Sequence, residues 1–164
     1  MPRMTRRPAD FSELTPQGRL AEAGLRDVLG YQLAQAAIAT MQVFTTRVGQ
    51  PHELRPVEFT VLTLVHENPG VSAKQLANAL AVTAPNITMW IDKLEARGLV
   101  ARERNASDRR AQHIRTTAAG GELARRAVSL LVEGERHSFG ALSRAEMALL
   151  LELLHKVARC RKSA

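Results

Sequence analysis

The feature that most constrains this chain is a change of hydrophobic period at Leu99. Up to Arg97 the apolar residues recur at three- and four-residue spacing in separate short segments. From Leu99 they alternate partially, in Leu99–Arg104 and again in Ala111–Thr116, on either side of the polar run Asn105-Ala106-Ser107-Asp108. The first spacing predicts amphipathic helices and the second a β-hairpin. One helix opens near Pro56, a favourable first-turn residue, and is apolar on a wide face through Val57, Phe59, Val61, Leu62, Leu64 and Val65. Asn68-Pro69-Gly70 ends it. Ser72 stands three residues before Gln75, a capping-box spacing, ahead of Leu76 and Leu80. After the turn Ala81-Val82-Thr83, Thr83 is placed to cap a helix beginning near Ala84-Pro85. In that helix Ile87, Ile91 and Leu94 share one face, with Trp90 beside them, and Gly98 follows Arg97 as a helix-ending glycine should.

Two short helices joined by a tight turn and followed by a basic hairpin form the layout of a winged helix-turn-helix, whose second helix is sized for the DNA major groove. The flanks are helical. From Leu20 the residues Leu25, Val28, Leu29, Leu33, Ala36, Ala37, Phe44 and Val48 predict one long amphipathic helix, interrupted around Gly49-Gln50-Pro51. Leu123, Ala127, Leu130 and Leu131 resume the helical period after the hairpin. Ser143 and Glu146 make a second capping box before Met147, Leu150, Leu153, Leu154 and Val157. The expected fold is therefore mainly α with a small β-hairpin wing. Residues 1–16 are expected as a flexible arm, 17–50 and 118–164 as a helical dimerisation region, and 51–117 as the DNA-binding domain. The terminal helices carry apolar faces that so small a unit cannot cover, which favours a symmetric homodimer; the alternative is an intramolecular pairing of the first and last helices.

Charge agrees with this layout. The 164 residues carry a net charge of +7 and a pI near 10.7, which suits a polyanionic partner, either nucleic acid or an anionic membrane surface. No apolar run approaches the ~20 residues of a membrane-spanning helix, and no apolar stretch follows the basic segment Met1–Pro8 as a secretory signal requires. A cytoplasmic protein without membrane association is expected. Its one cysteine, Cys160, cannot form an intramolecular disulfide.

With Ile87, Ile91 and Leu94 turned to the core, the opposite side of their helix presents Asn86, Met89 and Lys93, flanked by Thr88 and Asp92, and Thr83, Pro85 and Asn86 lead into the groove. Asn can make a bidentate contact to adenine, and the apolar groups of Thr and Pro can pack on a thymine methyl. The hairpin adds Arg102, Arg104, Arg109, Arg110 and Arg115 against Glu103 and Asp108; arginine at such a tip can enter a narrow, A·T-rich minor groove. Singly, each residue also fits a bland role in capping or solvation. The conjunction is what is specific.

The stretch Arg104-Asn105-Ala106-Ser107-Asp108-Arg109-Arg110-Ala111 resembles the wing signature of MarR-type regulators, and its Ala-Ser-Asp-Arg-Arg-Ala run is similar to the SlyA branch. Leu94-Glu95-Ala96-Arg97-Gly98-Leu99-Val100 and Thr117-Ala118-Ala119-Gly120 match the family on either side, and the likeness spans roughly residues 20–160. It implies that Arg109 is a minor-groove arginine, that Arg110 pairs with Asp108 to shape the wing, and that Pro85, Asn86 and Met89 occupy the major-groove reading positions. It also implies a triangular homodimer on a pseudo-palindromic double-stranded operator, and release by a small phenolic or aromatic-acid effector. Arg19, Arg26, Tyr31, His52 and His66 are candidates for such a ligand, none of them specific. Two departures stand out: Met89 replaces the arginine of close SlyA relatives, and Thr116 stands where leucine is usual.

The leading reading is a ligand-responsive repressor that binds DNA and needs no cofactor. Competing readings are a thiol-responsive regulator through Cys160, which lies between Arg159 and Arg161, although an inert cysteine is the more ordinary role, and a sequence-tolerant architectural protein. An enzyme is not expected, because the chain lacks a phosphate-cradling Gly-rich loop, an HExxH motif and a nucleophile elbow, and His52, His66, His113, His137 and His155 lack metal-ligand spacing.

Overall fold

In a computed structural model of the chain, the described residues are 14–104 and 112–161. They fall into two compact units, divided between Met41 and Gln42.

In the first unit the chain does not enter its long helix at Leu20 as the apolar spacing suggests. Leu14 bridges to Ala21, the Thr15 amide donates to the Leu20 carbonyl at 2.8 Å, and Arg19 takes a left-handed φ of 50°. A single turn of 3₁₀-helix follows at Ala23–Leu25, and helix α1 begins only at Leu29, running to Phe44. Pro16, Gly18 and Gly24 explain the delay, since each raises the cost of helix in a stretch whose apolar period is otherwise favourable. Residues 14–16 thus belong to this turn, and the rest of the expected arm lies outside the described residues.

Past Phe44 the helical path continues where a break is expected. A π-helical segment, Thr45–Gly49, leads into the short helix α2, Gln50–His52, which Glu53 ends at a φ of 50°. Pro51 has no amide hydrogen to close an ordinary turn, and the widened π geometry just before it lets the chain pass.

The rest of the second unit follows the predicted order: α3 Pro56–Glu67, α4 Ala73–Leu80, α5 Ala84–Ala96, strands β1 Val100–Arg104 and β2 Gln112–Thr116, α6 Ala118–Ser138 and α7 Arg144–Arg159. Both predicted capping boxes are present. Ser72 Oγ accepts from the Gln75 amide at 3.3 Å while Gln75 Oε1 accepts from the Ser72 amide at 2.9 Å. Ser143 and Glu146 repeat the exchange at 3.2 and 2.8 Å. Thr83 has the extended backbone of a cap, but its side chain makes no cap hydrogen bond, so it caps by position alone. Gly98 takes a φ of 67°, as the helix end requires.

The core lies where α3, α4, α5, the hairpin and α6 converge. Val61, Leu62, Val65, Leu76, Ile87, Ile91, Leu94, Val100, Ile114, Ala124 and Ala127 are all buried there. Each of the larger ones contributes about 1.5–3 kcal/mol by leaving water. Helix α6 meets this core through small residues, with Gly120, Gly121, Ala124 and Ala127 buried on one side. Gly120 sits so close to Leu99 that a Cβ there would fall 1.8 Å from the Leu99 carbonyl oxygen. In contrast, no residue of α7 is buried: Leu149, Leu150, Leu151, Leu153 and Val157 are all exposed. No helix among the described residues is long and apolar enough to cross a membrane.

Candidate nucleic-acid interface

Helix α5 is seated by its apolar side. Ile87, Ile91 and Leu94 are 0–1% exposed, which fixes the opposite side outward: Thr83, Pro85, Asn86, Thr88, Met89 and Lys93 are all exposed. The helix-turn-helix spacing thus brings the predicted reading residues together on one surface. Two of them are engaged within the chain. The Thr88 hydroxyl donates to the Ala84 carbonyl at 3.1 Å, and Lys93 Nζ stands 3.9 Å from Oε1 of the buried Glu58. Glu58 was not anticipated. Its other oxygen accepts from the Arg55 amide at 2.9 Å, closing the first turn of α3. An acid three residues after Arg55, behind Pro56 at the first helical position, was the available signal.

The wing is fastened to α5 by Arg102. Its guanidinium donates to Glu95 Oε2 at 2.5 Å and to Asp92 Oδ1, while the Arg102 amide donates to Glu95 Oε1 at 3.3 Å. Arg102 is half-buried, with 23% of its side chain exposed. This arginine, grouped by sequence with the DNA contacts, is held by two carboxylates that link the wing to α5. The strands pair antiparallel, Val100 opposite Thr116 and Arg104 opposite Gln112. A cross-strand bond from Arg115 Nε to Glu103 Oε2 at 2.8 Å engages a second wing arginine. Val71 bridges to Ile114, and His113 Nδ1 lies 2.7 Å from the Gly70 carbonyl, so the start of α4 is tied to β2. The far end of α5 is pinned by Arg97, which donates to the carbonyls of Glu53 at 2.8 Å and His52 at 2.9 Å.

Of the other predicted wing residues, Arg104 is described for its backbone in β1, and Asp108, Arg109 and Arg110 lie outside the described residues. Of the predicted ligand candidates, Arg19, Arg26 and Tyr31 belong to the first unit and His52 and His66 to the second. His66 approaches the Thr116 hydroxyl at 3.5 Å in the second unit, which gives the threonine at the wing base a polar neighbour. In the first unit the Tyr31 hydroxyl donates to Glu22 Oε2 at 2.5 Å, a bond that, with Glu22's charge, pushes the phenol above its ordinary pKa. Cys160 is exposed and its thiol donates to the Lys156 carbonyl at 3.4 Å. Among the described residues, no three His, Cys, Asp or Glu side chains are grouped to hold a metal ion.

The profile of the MarR family matches residues 54–111, from just before α3 to just before β2. The transcriptional repressor CouR, solved bound to a 23-mer DNA duplex, is 33% identical to this chain, and the likeness covers 85% of this chain and 98% of CouR with a TM-score of 0.77. The HTH-type transcriptional regulator YkoM of Bacillus subtilis is 28% identical over 126 residues, 77% of this chain and 82% of YkoM. The PcaV transcriptional regulator of Streptomyces coelicolor, solved with its natural ligand, shares the fold at 21% identity and a TM-score of 0.72, over 85% of this chain and 98% of PcaV. With the winged helix-turn-helix, its ordered caps and a relative of this identity along nearly its whole length, the chain belongs to the MarR family of transcriptional regulators.

Proposed function

We propose that this regulator binds a pseudo-palindromic double-stranded operator as a homodimer and represses transcription until a small aromatic or phenolic effector releases it. The observation that carries this reading is the exposed side of α5, where Thr83, Pro85, Asn86 and Met89 stand clear of the core beside a wing that Arg102 links to the helix. A helix so presented fits the major groove. In the proposed complex Thr83, Pro85, Asn86, Thr88 and Met89 face base edges, Lys93 and Arg104 serve phosphates, and Arg109 enters the minor groove with Arg110 and Asp108 shaping the turn. The duplex bound by CouR supports the DNA partner, and its description as a repressor supports the direction of control. The natural ligand with which PcaV was solved supports a small-molecule partner.

The apolar residues that α7 leaves exposed support dimerisation, since a second copy would cover them. Cys160 is exposed and its thiol donates to the Lys156 carbonyl, and the thiol-responsive reading is not favoured.

The test is a duplex-retardation assay at two salt concentrations with the wild type and Arg109→Ala. Specific retention of a selected operator over random DNA is expected. The variant should lose about 1–3 kcal/mol of binding at sites flanked by A·T pairs. Equal retention of operator and random duplex would overturn the reading.

A further inference from the structure

The outward residues of α5 carry more information than their exposure. In the major groove guanine offers two acceptors, O6 and N7, and is selected by side chains that donate twice, arginine above all. Adenine offers an acceptor and a donor, which match the two ends of an Asn amide, and thymine offers a methyl group. Along the exposed side of α5 stand Pro85, Asn86 and Met89, with Met89 43% exposed. Pro85 has no amide hydrogen and Met89 only a weak acceptor sulfur, so neither can donate to guanine. Lys93 is the one cation of this helix; it lies at its far end and faces the buried Glu58 at 3.9 Å.

We infer that α5 reads a run of A·T base pairs in each half-site, with Asn86 paired to an adenine and Pro85 and Met89 packed on thymine methyls, and that these three residues select no guanine. The inference rests on the DNA-binding reading above and refines it to a class of operator. An Asn amide presented to guanine would set its own oxygen against O6 unless it rotated and gave up one bond. Guanine at these positions is therefore disfavoured as well as unrewarded.

The experiment is selection from a duplex library with a randomised core, using the full chain and the Asn86→Ala, Met89→Arg and Lys93→Ala variants. The wild type should enrich half-sites with consecutive A·T pairs. Asn86→Ala should lose an adenine preference of about five- to 150-fold at one position while the others persist. Met89→Arg should convert a neighbouring thymine position to guanine. Lys93→Ala should weaken all duplexes alike. Far-UV circular dichroism confirms that each variant keeps its helices, and Met89→Lys, with the same expected guanine gain, stands in should the arginine variant unfold. A wild-type pool enriched in guanine at these positions, or variants at Met89 that keep the wild-type preference, would overturn this inference alone. A pool with no enrichment and no retained duplex would overturn it together with the DNA-binding reading, so the two failures are distinguishable.

Discussion

Gly120 shows how much one missing methyl group can decide. It lies in the first turn of α6, below a Thr117 cap whose hydroxyl accepts from the Gly120 amide at 3.0 Å and lies 2.7 Å from the Gly98 carbonyl, to which it donates. The obstacle to a side chain there is the Leu99 carbonyl, main chain already bound by the Thr117 amide at 3.1 Å, which cannot swing aside. Gly120→Ala is expected to cost about 3 kcal/mol or more, above the usual overpacking penalty because backbone must move. A fall in the urea midpoint checks it; an unchanged midpoint would show that α6 can retreat from the wing.

At the same scale, Glu146 is held below its ordinary pKa of 4.5 by the Ser143 side chain first and the Ser143 backbone second. A depressed folded-state pKa means that the stabilisation is complete above the unfolded value and is lost as pH falls through the folded one. Thermal midpoints measured from pH 6 down to about 3 should therefore fall more steeply for the wild type than for Glu146→Gln, which keeps an acceptor in the box without titrating. Parallel curves would detach this carboxylate from the acid sensitivity of α7.

Among elements, legibility divided by distance along the chain. The boxes at Ser72 and Ser143, the helix stop at Gly98 and the buried triplet of α5 are written within a few residues, and local spacing was enough to find them. The start of α1 was misjudged because apolar period outweighed Pro16, Gly18 and Gly24, whose backbone cost prevails where little packing opposes it. The ion pairs of Arg102 were not legible for the opposite reason. Its acidic partners lie seven and ten residues back, on a helix that the wing must first fold against. The grip of Arg97 on carbonyls more than forty residues away had no local sign at all. Arg102→Met keeps the aliphatic stem but leaves Asp92 and Glu95 without their cation beside the proposed path of the duplex. Duplex affinity should drop roughly tenfold, an effect comparable to one charge-assisted hydrogen bond, and adding Asp92→Asn and Glu95→Gln should recover part of it. A single variant with full affinity would show that wing and helix keep their angle unaided.

For the molecule as a whole, the apolar side of α7 is the main unfinished surface of its unit. Leu149, Leu150, Leu151, Leu153 and Val157 are 41–60% exposed. Truncation after Ser143 should give a monomer in sedimentation, where the full chain should run as a dimer, and it should cost the regulator its cooperative grip on paired half-sites. A truncated chain that still sediments at twice its mass would move the contact elsewhere.

Because α6 bears on Leu99 through a residue with no side chain, there is no cushion at that fulcrum. From Gly120 to Ser138 α6 extends roughly 27 Å, so a tilt of about 5° about the Gly120 seat would sweep its far tip by about 2.4 Å. The leverage runs both ways: a modest push at the distant end arrives at the wing as a turn, with nothing compressible between them to absorb it.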